Sequence, residues 1–330
     1  MEKHCYLDRR SKRFIEEKLI GDNFINFLYS RIREKSSTIF NAATSKTSTK
    51  LLKYFNYNKK LTRDKIVSYC KMMGIDMNEI YDDYTLYTTL QDIFERRIKY
   101  WEYRPMPDGE EIVVSPADAK MIPGSFKEES AIFIKDKFFI LDDLLLKEKW
   151  VNRFVDGDFA VFRLTPEEYH YNHSPVSGKV IDIYEIEGAY HSCNPTATIS
   201  IATPLSLNRR IVTIIDTDID GGTKVGLVAF VEIVAMMIGD IKQVYSVERY
   251  DNPSPIKEGD FIKKGQPKSV YRPGSSTDVV IFERDRIVFD EDILAYSRKS
   301  DISSRYSTGF NIPLVEIKVR VREQVARRKI

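Results

Sequence analysis

The chain has 330 residues, of which 42% are hydrophobic and 30% charged, so it is long and apolar enough for one large or two modest domains and is not mainly disordered. Its three cysteines (Cys5, Cys70 and Cys193) contain no Cys-x-x-Cys pair, and there are only four histidines. These counts exclude a disulfide scaffold and a histidine-rich metal site. No apolar run approaches ~18 residues and the N-terminus is charged, so we expect neither a membrane-spanning helix nor a signal peptide.

The net charge of +2 conceals an uneven distribution. Residues 1–65 carry 16 Lys and Arg against 7 Asp and Glu, so the remainder of the chain is net acidic. A basic segment of this kind favours an anionic partner, either a membrane surface or a nucleic acid. The alternative is an ordinary solvated basic face.

Residues 1–100 are predicted to be helical. Apolar residues recur at roughly helical spacing in three segments: 14–32, 61–75 and 87–101. The small polar residues 41–50 predict a loop or a helix start. The turn-forming sequence MPDGEE at 106–111 predicts a boundary between a helical region, 1–105, and a second domain, 106–330.

After residue 111 the apolar period changes to two, which predicts a β-rich domain and hence an α+β fold. The predicted strands lie within 111–115, 130–141, 158–164, 178–186, 209–219, 223–238, 276–283 and 315–325. PIKEGDFIKKGQP at 255–267 is similar to a turn of the barrel-sandwich carriers of lipoyl and biotinyl groups, but no lysine-bearing hairpin accompanies it. Neither a Gly-x-x-x-x-Gly-Lys loop nor a Gly-x-Gly-x-x-Gly turn is present, so no nucleotide site is predicted.

Two of the four histidines, His170 and His173, lie together in FRLTPEEYHYNHSPVSGKV. Such a pair could form half of a metal site, but neither His4 nor His191 is placed to complete it, and we predict no metal. The alternative is that both histidines are structural and that neighbouring groups form hydrogen bonds with their ring nitrogens.

Asp118 follows a Ser-Pro turn in SPADAK, where an aspartate is most often a turn or cap residue. In PGSSTDVVIF, Gly274 is followed by Ser275 and Ser276 and then by an apolar strand. A loop entering a strand accounts for this sequence on its own. Together, however, Asp118, His173 and Ser275 supply an acid, a base and a nucleophile, which are recognised by role and geometry whatever their chain order.

In combination these motifs resemble the pyruvoyl-dependent phosphatidylserine decarboxylase family. Residues 163–178 match its Arg-Leu-x-Pro-x-Asp-Tyr-His-x-x-His-x-Pro-x-x-Gly signature, with Glu168 in place of Asp. SPADAK, FERRIKYWEYRPMP, LNRRIVTIIDT and GSST resemble further family motifs and occur in the family's order, with Ala119 in place of Gly and Arg209 in place of Glu. The chain departs from the pattern at QPKSVYRP, where the family usually has Glu-Leu-Gly-x-Phe.

The resemblance implies self-cleavage between Gly274 and Ser275, although Ser276 is an alternative because two serines follow the glycine. His173, oriented by Asp118, would deprotonate the serine, and the new N-terminus would become a pyruvoyl group made from Ser275. The resemblance further implies that this cofactor forms a Schiff base with phosphatidylserine and that loss of CO2 gives phosphatidylethanolamine. His170 would position the carboxylate or handle the returning proton, with Tyr169 and Arg163 supporting the loop.

The implied partners are phosphatidylserine in a membrane and an anionic membrane surface, with no nucleic acid, and the location is peripheral, on the cytoplasmic face. The two cleaved chains would stay associated, and a homodimer is left open. Three alternatives remain: a pyruvoyl-dependent decarboxylase of a free amino acid, an unprocessed and non-catalytic member of the family, and a serine hydrolase that uses the same triad.

Overall fold

A computed structural model describes residues 3–127, 137–236, 240–273 and 276–330. Gly274 and Ser275, on which the cleavage prediction falls, lie outside these described residues. The strands are β1 (Cys5–Asp8), β2 (Arg13–Glu16), β3 (Ile112–Val114), β4 (Ala119–Ser125), β5 (Asp158–Leu164), β6 (Tyr171–His173), β7 (Gly178–Ile186), β8 (Arg210–Asp216), β9 (Leu227–Val234), β10 (Ile241–Gln243), β11 (Phe261–Ile262), β12 (Pro267–Tyr271), β13 (Ser276–Phe282), β14 (Ile287–Phe289), β15 (Glu316–Val319) and β16 (Gln324–Arg328).

The helices are mostly short, and they occur both before the first strands of the second half of the chain and between later strands. They are α1 (Asp22–Asn26), α2 (Arg33–Lys35), α3 (Ser37–Ala43), α4 (Lys46–Tyr57), α5 (Arg63–Met73), α6 (Leu90–Phe94), α7 (Tyr100–Tyr103), α8 (Leu141–Leu145), α9 (Glu148–Phe154), α10 (Pro195–Ser200), α11 (Pro204–Leu207), α12 (Glu291–Ser297) and α13 (Arg305–Phe310). A π-helical turn, Phe27–Ile32, joins α1 to α2, and 3-10 turns occupy Met77–Glu79 and Tyr84–Leu86. The predicted α+β class is confirmed.

Ten strands form one large sheet in the order β11-β7-β8-β9-β13-β5-β4-β15-β1-β2. All neighbours are antiparallel except β1 and β15. Strand β13 lies between β5 and β9, and every one of its residues is in register with a partner on both sides. The serine-proximal end of β13 is therefore held at the centre of the sheet.

The two faces of β13 pack into two separate hydrophobic clusters. Val280 and Phe282 belong to one cluster, whereas Val279 and Ile281 belong to the other, as the period of two requires. By the same alternation Ser276 and Asp278 lie on the face of Val280. Two three-stranded sheets, β10-β12-β6 and β14-β16-β3, complete the β structure, and β6 carries the predicted histidine motif.

The helical prediction is wrong for residues 5–16. Strands β1 and β2 form a hairpin, and β1 extends the large sheet by pairing with β15. Helices begin only at Asp22, and their starts follow ordinary capping: the Ser45 side chain caps α4, and Thr89 and Asp92 form a capping box on α6. No helix among the described residues is long and apolar enough to cross a membrane.

The strand predicted for 130–141 is not observed in its described part. Residues 130–136 lie outside the described residues, and Leu141 begins helix α8. Apolar runs of this length do not distinguish a strand from a buried helix, because both bury continuous apolar sequence. The other predicted strand segments each contain a strand of the structure.

Candidate functional site

Strand β6 brings the histidine motif next to the other two motifs. At one end, the N–H of Tyr271 in β12 donates to the His170 carbonyl oxygen at 3.0 Å. At the other end, the His173 N–H donates to the carbonyl oxygen of Pro116, in the turn that precedes Asp118, at 2.7 Å. The acid-bearing turn, the histidine strand and the strand leading to Gly274 are therefore immediate neighbours.

His173 is fully buried and has a hydrogen bond at each ring nitrogen. Its Nδ1 lies 2.9 Å from the Gly265 carbonyl oxygen, and its Nε2 lies 3.0 Å from the Tyr169 hydroxyl oxygen. Because a carbonyl can only accept, Nδ1 must carry the proton, and Nε2 is then the basic nitrogen. Burial lowers the pKa of His173 to about 3, so the ring is neutral at physiological pH and able to take up a proton.

The loop that holds His173 depends on a glycine. Gly265 has a positive φ of 72°, a conformation that side chains with a Cβ rarely adopt, and an added Cβ would also collide with Met106. Its N–H donates to the Ser174 carbonyl oxygen at 2.8 Å, while its own carbonyl faces the His173 ring. The glycine thus fixes the tautomer and the orientation of the histidine.

His170 is equally buried, and neither of its ring nitrogens makes a well-aligned hydrogen bond among the described residues, although the Glu168 backbone is close enough to favour a proton on the ring. Its ring stacks on Phe94 with a centroid separation of 3.5 Å and an interplanar angle of 27°. Burial lowers the pKa of His170 well below its ordinary value, and the positive charge of Arg96 adds to this effect. Buried polar groups in proteins normally have hydrogen-bond partners. A substrate or cofactor group bound next to His170 would supply the hydrogen bonds that its ring nitrogens lack.

Asp118, which the family resemblance implies would orient His173, makes its hydrogen bonds to other groups. Its oxygens accept from the Arg104 guanidinium, with contacts of 2.6–3.1 Å, and from the Val321 N–H at 2.9 Å. Despite full burial, the charge of Arg104 and its hydrogen bonds lower the pKa of Asp118, so the carboxylate stays ionised. Its negative charge favours protonation of both histidines without direct contact.

The described end of the serine motif is Ser276, the first residue of β13. Its side chain is fully buried, and its Oγ has no hydrogen-bond partner among the described residues. Its register partners are Leu164 in β5 and Val234 in β9. Ser276 therefore lies between two interior strands, and Asp278 of the same strand is joined to β6 by a hydrogen bond from Asn172.

Sequence reasoning missed the residues that hold this site together. Arg104 bridges Asp118 and the buried Glu79, with 2.9 Å between its Nη1 and the Glu79 Oε2. The Tyr250 hydroxyl lies 2.7 Å from that of Tyr169 and so extends the hydrogen-bond chain behind His173. The motif FERRIKYWEYRPMP contains Arg104 and could have signalled it, whereas nothing in the sequence pairs Tyr250 with the histidine motif.

Arg163 supports the loop through buried ion pairs rather than through the histidines. Its guanidinium donates to Glu316 and to Glu17, at 2.5 and 2.6 Å from Nη2. His4, Glu17 and Glu316 are close enough together to be considered as metal ligands. Because Arg163 bridges both carboxylates and Lys120 Nζ lies 3.5 Å from Glu17, we interpret the cluster as an ion-pair network that fastens the N-terminal hairpin to the sheet.

A pocket of about 360 Å³ adjoins the site, and most of its exposed lining is apolar. Leu164, the register partner of Ser276, forms part of its wall. Tyr57 forms another part and packs edge-on against Phe94, which in turn stacks on His170. Lys18 contributes a cation to the lining. A pocket of this volume, whose exposed surface is mostly apolar but whose lining includes charged groups, suits a small or amphipathic ligand.

Two buried histidines with depressed pKa values, an adjoining apolar pocket and Ser276 at the centre of the sheet together form a candidate enzyme active site. The model of the phosphatidylserine decarboxylase family matches residues 90–306. The chain belongs to this family, as the sequence motifs predicted, and members of the family are decarboxylases, that is, carboxy-lyases.

Relatives are similar over most of this chain. A phosphatidylserine decarboxylase proenzyme of Fusobacterium nucleatum is 30% identical across 89% of this chain and 92% of its own. One of Clostridium tetani is 27% identical across 88% and 92%. The proenzyme 2 of Oryza sativa is 30% identical across 89% of this chain, which spans 46% of that longer protein. The word proenzyme in these names agrees with a precursor that is processed.

Proposed function

We propose that this protein is a self-processing decarboxylase of phosphatidylserine that makes a pyruvoyl group from a serine of its own chain. The observation that carries the proposal is His170, a buried imidazole without a well-aligned hydrogen bond at either ring nitrogen among the described residues. Its backbone carbonyl accepts from Tyr271, at the end of the strand that leads towards Gly274. Membership of the family and the proenzyme names of its relatives agree with it.

In this proposal His173 starts the cleavage. Its Nε2 is unprotonated, and the Tyr169 hydroxyl is its present partner. It would accept the hydroxyl proton of Ser275, whose oxygen then attacks the Gly274 carbonyl carbon. The buried carboxylate of Asp118 stabilises the imidazolium through its field, because no hydrogen bond joins the two side chains.

The histidine motif and the start of β13 fit a pyruvoyl group because both carry buried polar atoms without a well-aligned hydrogen bond among the described residues. These atoms are the two ring nitrogens of His170, Ser276 Oγ and Thr277 Oγ1. A pyruvoyl carbonyl supplies an electron sink for decarboxylation of an α-amino acid. His170, which is neutral and held flat against Phe94, would receive or return the proton at the substrate's α-carbon.

The adjoining pocket is the proposed site for the phosphatidylserine headgroup and glycerol region. Lys18 supplies positive charge for the phosphate, and the apolar lining suits the start of the acyl chains. Helices α1 and α4 line this pocket and carry large exposed apolar side chains, including Phe24, which also lines it. Such a surface next to a pocket favours a substrate that arrives from a bilayer.

The second candidate is a decarboxylase of a free amino acid with the same pyruvoyl chemistry. The decisive assay compares CO2 release from phosphatidylserine vesicles with release from free serine and free aromatic amino acids. We expect turnover on the vesicles only. Turnover on a free amino acid alone would overturn the lipid assignment and leave the pyruvoyl chemistry intact.

Intact-mass spectrometry of the purified protein tests the processing step. We expect a large fragment, 1–274, and a small one, 275–330, with a blocked N-terminus on the small fragment. Recovery of only the 38.4 kDa chain from an active preparation would refute self-cleavage. Labelling of the uncut chain at serine by a fluorophosphonate would instead favour a serine hydrolase.

Single substitutions settle which serine is used. Ser275→Ala should abolish cleavage, whereas Ser276→Ala should cleave at 274/275. The opposite pattern would move the cleavage site to 275/276, beside the unpartnered hydroxyl of Ser276.

A further inference from the structure

Tyr271 links the two ends of the segment that carries the serines. It is the last residue of β12 and is fully buried. Its hydroxyl lies 2.7 Å from Asp278 Oδ1 and 3.1 Å from the Thr277 carbonyl oxygen, and it accepts from the Ile233 N–H at 3.0 Å. One side chain therefore reaches from the strand before the segment to the strand after it.

Asp278 is an unusual carboxyl group for the centre of a sheet. Its neighbour Glu232, the register partner across β9, accepts from Lys268 Nζ at 2.5 Å and from Gln243 Nε2 at 2.9 Å. The cluster thus contains two carboxyl groups and one lysine, and the lysine contacts Glu232. Within the part of the chain that the structure describes, no cation pairs with Asp278.

The hydrogen bonds of Asp278 are those of a protonated acid. Oδ1 accepts twice, from the Tyr271 hydroxyl and from Asn172 Nδ2 at 3.2 Å, as a carbonyl oxygen does. Oδ2 is buried and has no partner among the described residues. Burial and the negative charge of Glu232 raise the pKa of Asp278 well above its ordinary value, which agrees with a proton on Oδ2.

This neutral acid lies on the same face of β13 as Ser276, two residues further along the strand. Asn172, its other partner, lies in β6 between the two histidines of the motif. The pair of Tyr271 and Asp278 is therefore connected to the histidine strand twice, once through Asn172 and once through the backbone bond between Tyr271 and His170.

We propose that Tyr271 and Asp278 form a clamp that positions the serine segment for self-cleavage and holds the new end of the small chain in place afterwards. This inference rests on the proposed function. Before cleavage the clamp fixes both ends of the short segment 272–276, which limits the conformations open to the scissile peptide. After cleavage Tyr271 and Asp278 belong to different chains, and their hydrogen bond spans the break.

The test exploits the protonated form of Asp278. Asp278→Asn keeps an acceptor for Tyr271 and a donor in place of the Oδ2 hydroxyl, so it should cleave at a rate close to that of the wild type. Asp278→Leu and Tyr271→Phe each remove the bond and should slow cleavage about tenfold, the worth of one buried hydrogen bond. The readout is the cleaved fraction on a gel over time, with thermal unfolding measured on the same samples.

Tyr190→Phe is the matched control, because Tyr190 is also buried but its hydroxyl has no hydrogen-bond partner among the described residues. It should cleave like the wild type. Equal rates for Tyr271→Phe and the wild type would overturn the clamp, and so would a folded Asp278→Asn variant that fails to cleave. If Tyr271→Phe does not fold, the contrast between Asp278→Asn and Asp278→Leu decides. An uncleaved wild type would overturn the proposed function itself.

Discussion

In the central sheet charged side chains are buried in pairs, whereas helices α1 to α4 leave large apolar side chains in solvent. Arg163 and Glu316 on β5 and β15 are both buried and lie 2.5 Å apart. In contrast, Phe24 and Phe55 on α1 and α4 are 53% and 66% exposed. Each region thus reverses the usual distribution of polar and apolar groups.

This difference separates the two roles: the sheet holds the polar groups of the candidate site, and the helices present an apolar surface to a binding partner. Burying a charged side chain costs free energy unless the charge is paired. Paired charges inside the sheet therefore maintain a defined polar site, although apolar side chains in the same positions would often stabilise the fold more. An exposed apolar surface is costly in water unless something covers it. The exposed basic residues Arg31, Lys46 and Lys50 among these helices suit an anionic bilayer as the cover.

The largest effects are expected inside the sheet region, where the two histidines should separate. His173→Ala should leave an uncleaved and inactive chain, because no base remains for the serine hydroxyl. His170→Ala should still cleave but lose roughly 10²–10⁴ in decarboxylation rate, the usual effect of losing a general acid or base. A gel and a CO2 assay of both variants provide the measurement.

His191→Ala is the control for removing a buried histidine, since His191 stacks on Phe40 and makes no hydrogen bond or ring contact with His170 or His173 among the described residues. It should leave cleavage unchanged, and cleavage is the readout compared because the residues after His191 line the adjoining pocket. If His170→Ala stays uncut while His173→Ala is cut, the two roles are reversed. If both are cut, the acid–base–nucleophile assignment fails, and Asp118 loses its role with it.

The next largest effect tests whether the buried charges need their partners. Arg104→Ala would leave Asp118 and Glu79 buried without a cation and should lower the free energy of unfolding by about 3–5 kcal/mol. Arg97→Ala is the control, because Arg97 pairs with Asp82 nearer the surface and should cost only about 0–1 kcal/mol. Urea unfolding of both variants supplies the comparison. Equal midpoints would mean that water already screens the Arg104 cluster.

The same contrast explains what the sequence could predict. The run from Val279 to Phe282 is apolar enough to indicate a buried strand by itself, and the spacing of His170 and His173 marks the site. Strand β2 was missed because its sequence is short and mostly exposed, with a pattern that helical spacing also fits. The contacts of Asp118 were missed because Arg104 and Val321 meet it only in the folded chain.

A smaller effect is expected at the helices. Replacing Phe24 and Phe55 together by serine should weaken binding to vesicles containing anionic lipid by roughly tenfold, since each ring would lose its burial in the bilayer. Val288→Ser with Leu294→Ser removes exposed apolar groups elsewhere and should leave binding unchanged. Salt should weaken wild-type binding, because exposed charges are screened over about 8–10 Å at physiological ionic strength. Equal binding to neutral and anionic vesicles would disprove the electrostatic part.

The smallest expected effect is a cleavage rate that does not depend on pH. This measurement tests whether water reaches the interior of the sheet at His173. Burial lowers the pKa of His173 to about 3, so the ring keeps its basic nitrogen free throughout pH 5–8. The cleavage rate should therefore stay nearly constant over that range. A histidine with its ordinary pKa of about 6.5 would be only about 3% neutral at pH 5, which would slow cleavage roughly thirtyfold.

A control must distinguish protonation of His173 from unfolding of the protein at low pH. A buried neutral histidine takes up its proton at about pH 6.5 when unfolded and at about 3 when folded, so the unfolded state binds more protons between these values. Stability therefore falls as pH decreases below about 6.5, and circular dichroism must show folded protein at pH 5. A thirtyfold decrease in the cleavage rate of folded protein at pH 5 would mean that His173 has its ordinary pKa and that water reaches its ring. The site would then be solvated like the exposed helices, and not enclosed like the sheet around it.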